Sequence, residues 1–369
     1  MQLSPFRIER FYARHEFTTR YMLSSSDCQS RTIGELLELE PDAHERLLNQ
    51  WCGYTESRGA PELREAIAGL YERTGPDDVV VASCAEEGIL LVHHALLKPG
   101  DHAIVETPCY ESALALARST GADVSPWQRR FDDGWRHDLD ELERLMTPRT
   151  RVLYVNQPHN PTGTLMSRAT FERVAELARE RDVVLFCDEV YRELEHDAAA
   201  RLPAACDIAE RAVSLGSISK TYGLPGLRIG WLATRDPEIR EALVTLKDYT
   251  TICASAPSEL LVALALRHRD VVAQRNLEIV GRNLPLLDEF FSLHASMFEW
   301  VRPTAAPIGF PRLQGVADVD GLCQALAKAG VLLLPGSVYD EPLHVRVGFG
   351  RADMPAALEL FEEVLKTLT

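Results

Sequence analysis

The sequence predicts an α/β fold: a large domain on a parallel sheet covered on both faces, followed by a smaller α+β domain. Two observations carry this. Short β-branched apolar runs alternate with helical patterns from about Glu62 to Thr234. Beyond Asp236 the texture changes to longer helical stretches and then strand-like segments. The amino-terminal stretch carries few strand signals and reads as an arm lying on the second domain. The expected limits are 1–45 for the arm, 46–240 for the large domain and 241–369 for the small one.

Taken in order, Leu63, Ala66, Ile67 and Leu70 fall at helical spacing. Val79–Val81, Ala103–Val105, Val152–Val155, Val183–Phe186 and Ala212–Leu215 are continuous apolar runs, as suits strands buried on both sides. Turn signals separate them at Lys98-Pro99-Gly100-Asp101, Asn160-Pro161-Thr162-Gly163 and Arg181-Asp182. Helical stretches follow at about Asp236–Leu246, Ser258–Leu266 and Val271–Leu293. Strand-like segments lie at Val331–Leu334 and His344–Phe349, and a closing helix begins at Met354.

At 369 residues the chain can bury a core without disulfides or structural metal. Its eight cysteines lack any C-x-x-C or zinc-like spacing and read as reduced thiols, mostly in the core. Lysine plus arginine is 39 against 55 aspartate plus glutamate, a net charge of −16, which argues against a nucleic-acid partner. The amino end Met1–Tyr12 lacks a signal-peptide pattern and no apolar run is long enough to span a membrane, so a cytoplasmic protein is expected.

The most informative stretch is Ser217-Ile218-Ser219-Lys220-Thr221-Tyr222-Gly223-Leu224-Pro225-Gly226-Leu227-Arg228-Ile229-Gly230-Trp231. It follows a predicted buried strand and sets one lysine between hydroxyls and a glycine-rich turn. A desolvated ammonium is costly, so a lysine at the mouth of a sheet is a poor structural choice. Desolvation and nearby positive charge instead lower its pKa and make the amine a nucleophile able to form a Schiff base. Arg228 and Ser217 are suited to hold a phosphate, and the glycines let main chain approach a ligand. A lone lysine beside a tight turn reads more simply as a surface residue. The joint pattern of hydroxyls, lysine, aromatic, glycine and arginine speaks against that.

This segment resembles the lysine motif of the class I and II aminotransferases, pyridoxal-phosphate enzymes of fold type I, and the chain agrees with that family from about Tyr54 to Gly350. The resemblance implies a mostly parallel seven-stranded sheet sandwiched by helices. It also implies pyridoxal 5'-phosphate as cofactor, Lys220 as its aldimine lysine, and Ser217 and Arg228 as phosphate ligands. Asn156-Gln157-Pro158-His159-Asn160-Pro161-Thr162-Gly163 resembles the family's N-x-P-x-N-P-T-G turn, in which Asn160 would bond the cofactor's phenolic oxygen. Cys187-Asp188-Glu189-Val190-Tyr191 resembles D-E-x-Y. There Asp188 would keep the pyridine nitrogen protonated and Tyr191 would donate to the phenolic oxygen. Tyr54, in a stretch similar to Y-x-x-x-x-G-x-x-x-L-R, would reach the phosphate held by a partner subunit, implying a homodimer with shared sites. Tyr110 would stack on the pyridine ring. Arg346, inside His344–Gly350, would grip the substrate α-carboxylate. Each has a plainer reading: a helix N-cap for Asp188, an interface aromatic for Tyr54, core packing for Tyr110 and a structural ion pair for Arg346.

Two segments depart from the family. In Ala82-Ser83-Cys84-Ala85-Glu86-Glu87-Gly88, Glu86 stands where a phosphate-binding hydroxyl is expected. Either its side chain turns away while the amides of Ala85 and Glu86 bind the phosphate, or it meets a substrate cation; the first is favoured. Tyr21-Met22-Leu23-Ser24-Ser25-Ser26-Asp27 lacks the common glycine and resembles the serine-rich segment of capreomycidine-synthase-like members. Ser25, with Asn160 and Arg346, is the substrate-binding candidate there. The expected activity is transfer of an amino group between an amino acid and a 2-oxo acid, with Lys220 as general base. The alternative is a lyase or cyclase acting by β- or γ-elimination. A non-catalytic cofactor-binding protein is less favoured, because the residues a working site requires are intact.

Overall fold

The computed structural model describes residues 3–368; Met1, Gln2 and Thr369, which the expected domain limits include, lie outside the described residues. The large unit is built on seven strands: β1 (Val79–Ala82), β2 (His102–Thr107), β3 (Asp123–Gln128), β4 (Thr150–Asn156), β5 (Val184–Asp188), β6 (Ala212–Ser217) and β7 (Gly230–Ala233). Their spatial order is β1-β7-β6-β5-β4-β2-β3. β2 through β6 pair in parallel, and β7 runs antiparallel to both β6 and β1.

Alternate side chains of each central strand enter different cores. Val152 and Tyr154 of β4 join Val105, Val184 and Phe186 on one face. Leu153 and Val155 join Ile104, Leu185 and Cys187 on the other. That period of two explains why the runs are apolar without interruption: both faces are covered. Helices Ala85–Leu96 and Pro237–Lys247 pack together over the first face. Helix Arg168–Glu180 covers the second through Phe171, Val174 and Ala178.

Strands β3 and β7 were not among the expected strands. β3 is an edge strand, mostly half-buried or exposed, and contains Pro126. β7 begins at Gly230, inside the lysine motif. The expected boundary at residue 240 falls inside helix Pro237–Lys247, which packs on the large unit. So does Ala256–Arg267, against Pro61–Ala68. The large unit therefore runs past that boundary.

The second unit sets helices Arg269–Leu293, Val319–Ala329 and Met354–Leu368 around an antiparallel sheet of Leu334–Pro335, Val345–Gly348 and Ile308–Gly309. The strand expected at Val331–Leu334 is shorter, because Val331 bridges in parallel to Tyr21 instead. The arm thus reaches this unit through Tyr21 and Leu23, whose carbonyls accept from Leu332 and Gly348. Gly348 is required there: a Cβ would lie 2.0 Å from the Ser25 carbonyl oxygen. Cys28, Cys109, Cys187, Cys206 and Cys323 are buried free thiols, and Cys52 is exposed. Among the described residues no helix is long and apolar enough to cross a membrane.

Candidate active site

Three strands deliver their carboxyl ends to one place: Asn156 ends β4, Asp188 ends β5 and Ser217 ends β6. Ligands of parallel sheets gather outside that edge. A cavity of about 410 Å³ lies there, bordered by Ala85, Glu86, Tyr110, Asn160, Asp188, Tyr191, Lys220 and Arg228 together with Phe6, Glu9, Ser26, Asn156 and Ser219.

Lys220 follows β6 and projects its Nζ to within 2.9 Å of the Ser26 hydroxyl. Burial lowers its pKa, with Arg346 adding to the effect and Asp27 and Asp188 opposing it. Asp188 Oδ2 accepts from the Tyr154 hydroxyl at 3.1 Å and Oδ1 from the Val190 amide at 3.2 Å. Burial nonetheless pushes its carboxyl up to about 6. Such a group favours a positive neighbour, as a protonated ring nitrogen would be. Tyr191 is 1% exposed, and its hydroxyl lies beside Ser26 without reaching any partner at hydrogen-bond geometry. A buried hydroxyl left this way points to a ligand.

The Asn156–Gly163 turn is fixed from within, since the Asn160 amide donates to Asn156 Oδ1 at 2.7 Å. Asn160 Oδ1 accepts from Arg346 Nη1 and the Tyr339 hydroxyl, both at 3.2 Å. Arg346 is 2% exposed and, among the described residues, has no carboxylate partner. Its guanidinium donates instead to the Ser24 carbonyl, the Tyr12 hydroxyl at 2.7 Å and the Tyr339 hydroxyl at 2.5 Å. The structural ion pair considered for Arg346 is therefore absent among the described residues.

A phosphate has a ready place. Helix Ala85–Leu96 opens on the cavity with its free amides. Gly230 lets β7 pack directly beneath, since a Cβ would lie 2.7 Å from the Ala85 nitrogen. Arg228 stands at the rim and donates to the Pro225 carbonyl at 3.0 Å. Ser219 borders the cavity, whereas Ser217 is buried behind it with its hydroxyl 2.7 Å from that of Ser219. Orphaned hydroxyl, helix amides, arginine and amine together match the chemistry of pyridoxal 5'-phosphate.

Some expectations change. Glu86 is among the residues bordering the cavity, and its carboxyl lies beside Ser112, which is buried outside that border. The neighbouring Glu87 is turned aside, accepting from the Ser83 amide and from Thr250 and Thr251. Ser25 does not border the cavity; its neighbours serve instead, Ser26 toward Lys220 and the Ser24 carbonyl toward Arg346. Tyr54 is 83% exposed, away from this chain's cavity. Tyr110 sits on the cavity wall with Phe6, ring centroids 5.0 Å apart. Sequence reasoning missed Phe6, Glu9, Tyr12, Ser26, Ser219 and Tyr339. The arm residues carried no local signal, while Ser26 and Ser219 lay inside motifs already singled out.

The raised Asp188 pKa has a consequence for the cofactor-free protein. Asp188 binds a proton in the folded state at pH values where the unfolded chain has lost it, so its contribution falls as pH rises from about 4 through about 6. Buried histidines drive the opposite trend, so the comparison must be with Asp188→Asn. Measured by urea unfolding, the variant is expected to gain on wild type across that window by up to about 3 kcal/mol. A pH-independent difference would contradict the assignment.

The sequence profile described as Aminotransferase class I and II matches residues 21–360. Capreomycidine synthase of Streptomyces vinaceus is 33% identical over 366 residues, covering 98% of this chain and 93% of that protein. A solved PLP-dependent aminotransferase from Streptococcus suis superposes with a TM-score of 0.94 at 30% identity, covering 100% of this chain and 99% of the other. The PLP-dependent cyclase OrfR superposes with a TM-score of 0.91, also at 30% identity, with the same coverage.

Proposed function

The chain belongs to the class I and II aminotransferases, pyridoxal-phosphate enzymes of fold type I, and from that premise we propose that it moves an amino group between an amino acid and a 2-oxo acid. One observation carries the reading: a single cavity is bordered by the Lys220 amine, the Asp188 carboxyl and Asn160, whose amide oxygen is held by Arg346. When bound, the cofactor supplies an aldehyde for amine exchange and a ring that draws electrons from the substrate's α-carbon.

The chain's residues do the rest. Asp188 holds the proton of the ring nitrogen, while the Tyr191 hydroxyl and the Asn160 amide donate to the phenolic oxygen. The first-turn amides of helix Ala85–Leu96, Ser219 and Arg228 bind the phosphate. Arg346 takes the substrate carboxylate, and the hydroxyls of Tyr12 and Tyr339 that it now holds can turn to donate to the same oxygens. Lys220 Nζ, kept short of full basicity by burial, takes the α-proton and returns it. The exposed Trp51, Tyr54, Tyr249 and Ile252 support a homodimer. The Ser57–Asp248 and Thr55–Ala254 hydrogen bonds hold the two segments that carry them side by side.

A second reading is elimination with cyclisation. The serine-rich segment favours it by placing Ser26 against Lys220, and so does the full-length likeness to a protein named capreomycidine synthase. Single-turnover spectra of the cofactor-loaded protein with a panel of amino acids separate the two. Transamination is expected to bleach the visible band with one equivalent of keto acid. Ammonia or a cyclised product without an aminated cofactor establishes the second reading. The same preparation is expected to run at twice 41.2 kDa; a monomer would remove the shared-site proposal.

A further inference from the structure

The reaction leaves Glu87 without a part, yet its carboxylate joins two segments far apart in the chain. Glu87 is the third residue of helix Ala85–Leu96 and does not border the cavity. Its Oε2 accepts from the Ser83 amide at 2.6 Å, one residue further back than the usual partner of a glutamate so placed. Its Oε1 accepts from the hydroxyls of Thr250 at 2.6 Å and Thr251 at 2.8 Å. One oxygen closes the turn from β1 into the helix. The other ties that turn to a loop that begins 163 residues further on.

That loop is closed on itself. The Thr250 and Ile252 amides donate to the Lys247 carbonyl at 2.9 and 3.2 Å, and the buried Lys247 Nζ donates back to the Ile252 carbonyl at 2.8 Å. Ile252 is held at φ 64°, a conformation that a β-branched residue avoids unless its surroundings impose it. Glu87 therefore has a fixed point outside its own helix. At the near end, Cys84 is extended and makes no side-chain cap bond to the helix. The direction of the Ala85 and Glu86 amides, which open on the cavity, then depends on how Ser83 is held.

We propose that Glu87 is a positioning residue for the cofactor's phosphate: by bridging Ser83 to the Thr250–Thr251 turn, it fixes where the Ala85 and Glu86 amides point. This inference rests on the reading of the cavity as a cofactor site. The sign of the effect separates it from simple electrostatics. A glutamate acting only as a nearby negative charge opposes a phosphate, so its removal would tighten binding. Removal of a positioning residue loosens it. Glutamine keeps an oxygen for the Ser83 amide and offers N–H groups to the threonine hydroxyls, which accept as readily as they donate, so it preserves the bridge.

The test is an absorbance titration of the cofactor-stripped full chain with pyridoxal 5'-phosphate and with pyridoxal, which keeps the ring and aldehyde but lacks the phosphate. Glu87→Ala is expected to weaken pyridoxal 5'-phosphate roughly tenfold, the scale of one or two hydrogen bonds, and to leave pyridoxal within about twofold. Glu87→Gln is expected to stay within about threefold of wild type for both ligands. The double variant Thr250→Val, Thr251→Val changes two exposed positions and cuts only the far end of the bridge. It is expected to lose roughly threefold in the preference for the phosphorylated ligand, and an unchanged preference there overturns the proposal even if Glu87→Ala fails to fold. Equal losses for both ligands in Glu87→Ala mark a general structural role and also overturn it, as does unchanged or tighter binding of pyridoxal 5'-phosphate. A wild-type chain that binds neither ligand overturns the cofactor reading, and this inference with it.

Discussion

Lys220→Ala protein is expected to hold its cofactor without a covalent bond and to lose at least ~10²–10⁴-fold in turnover, the usual contribution of a positioned proton-transfer group. The chain has few amines to choose from: Lys98, Lys220, Lys247, Lys328 and Lys366. Lys98, Lys328 and Lys366 are exposed. Lys247 is buried, but its Nζ donates to the Ile252 carbonyl at 2.8 Å and it does not border the cavity. Only Lys220 combines burial, a lowered pKa and a place on the cavity wall. Borohydride reduction followed by peptide mass spectrometry should label the wild-type peptide containing residue 220 and leave the variant unlabelled. Thermal stability should change little, because removing a desolvated amine relieves as much as it costs. A label recovered at Lys247, or an unchanged reducible band in the variant, would refute the assignment.

The large unit was legible because its central strands are buried on both sides. β1 is apolar throughout, β2, β4, β5 and β6 each carry an apolar stretch with polar residues such as Glu106, Asn156, Asp188 and Ser217 near their carboxyl ends, and the turns at Gly100 and Gly163 carry the positive φ that their sequences announce. β3 gave no such signal, since one edge and much of its surface face solvent. β7 was hidden because Gly230 reads as part of a ligand-binding turn, and it is also the residue that lets β7 lie against Ala85.

The site divides along the same line. Asn160, Asp188, Tyr191 and Lys220 sit at strand ends, where a short motif fixes both identity and position. Glu9, Tyr12, Ser24 and Ser26 reach the site from the arm, across separations such as the 322 residues between Ser24 and Arg346. Nothing within the arm's own sequence states that contact; it exists only once Gly348 admits the Ser25 backbone. Glu86 is intermediate. Its oddity was visible in the sequence, but not that its carboxyl would lie beside Ser112 while Glu87 is held by Ser83, Thr250 and Thr251.

Beneath the Asn156–Gly163 turn lies a buried charge network whose disruption should have the largest effect on stability. Glu106 is fully buried, ion-paired with Arg129 at 3.2 Å and bonded to His137 Nε2 at 2.6 Å. It accepts from the Asn156 amide at 2.8 Å and from Gln157 Nε2 at 3.1 Å. Burial alone would raise its pKa, but His159, His137 and Arg129 overcome this and hold the carboxylate well below the usual range. Arg129 also donates to the Trp135 carbonyl and to Thr164 Oγ1 at 2.6 Å.

Arg129→Met removes one partner and leaves the other charge buried, which costs about 3–5 kcal/mol. His137 is held down partly by Arg129, so it should take up a proton more readily in the variant and stand in for the lost cation. That substitution works only below the new His137 pKa. The variant's deficit is therefore expected to be larger at alkaline than at mildly acidic pH. Adding Glu106→Gln should restore much of the loss, since a buried neutral pair avoids the stranded charge. The site should register the change as well: Glu106 anchors Asn156, Asn156 anchors Asn160, and Asn160 touches Arg346. Amino-acid KM should rise in Arg129→Met while the covalent cofactor band at Lys220 persists. Urea unfolding of the two variants at both pH values checks the ledger. A deficit below about 1 kcal/mol, or a double variant no better than the single one, would show that Glu106 does not depend on Arg129 for its charge.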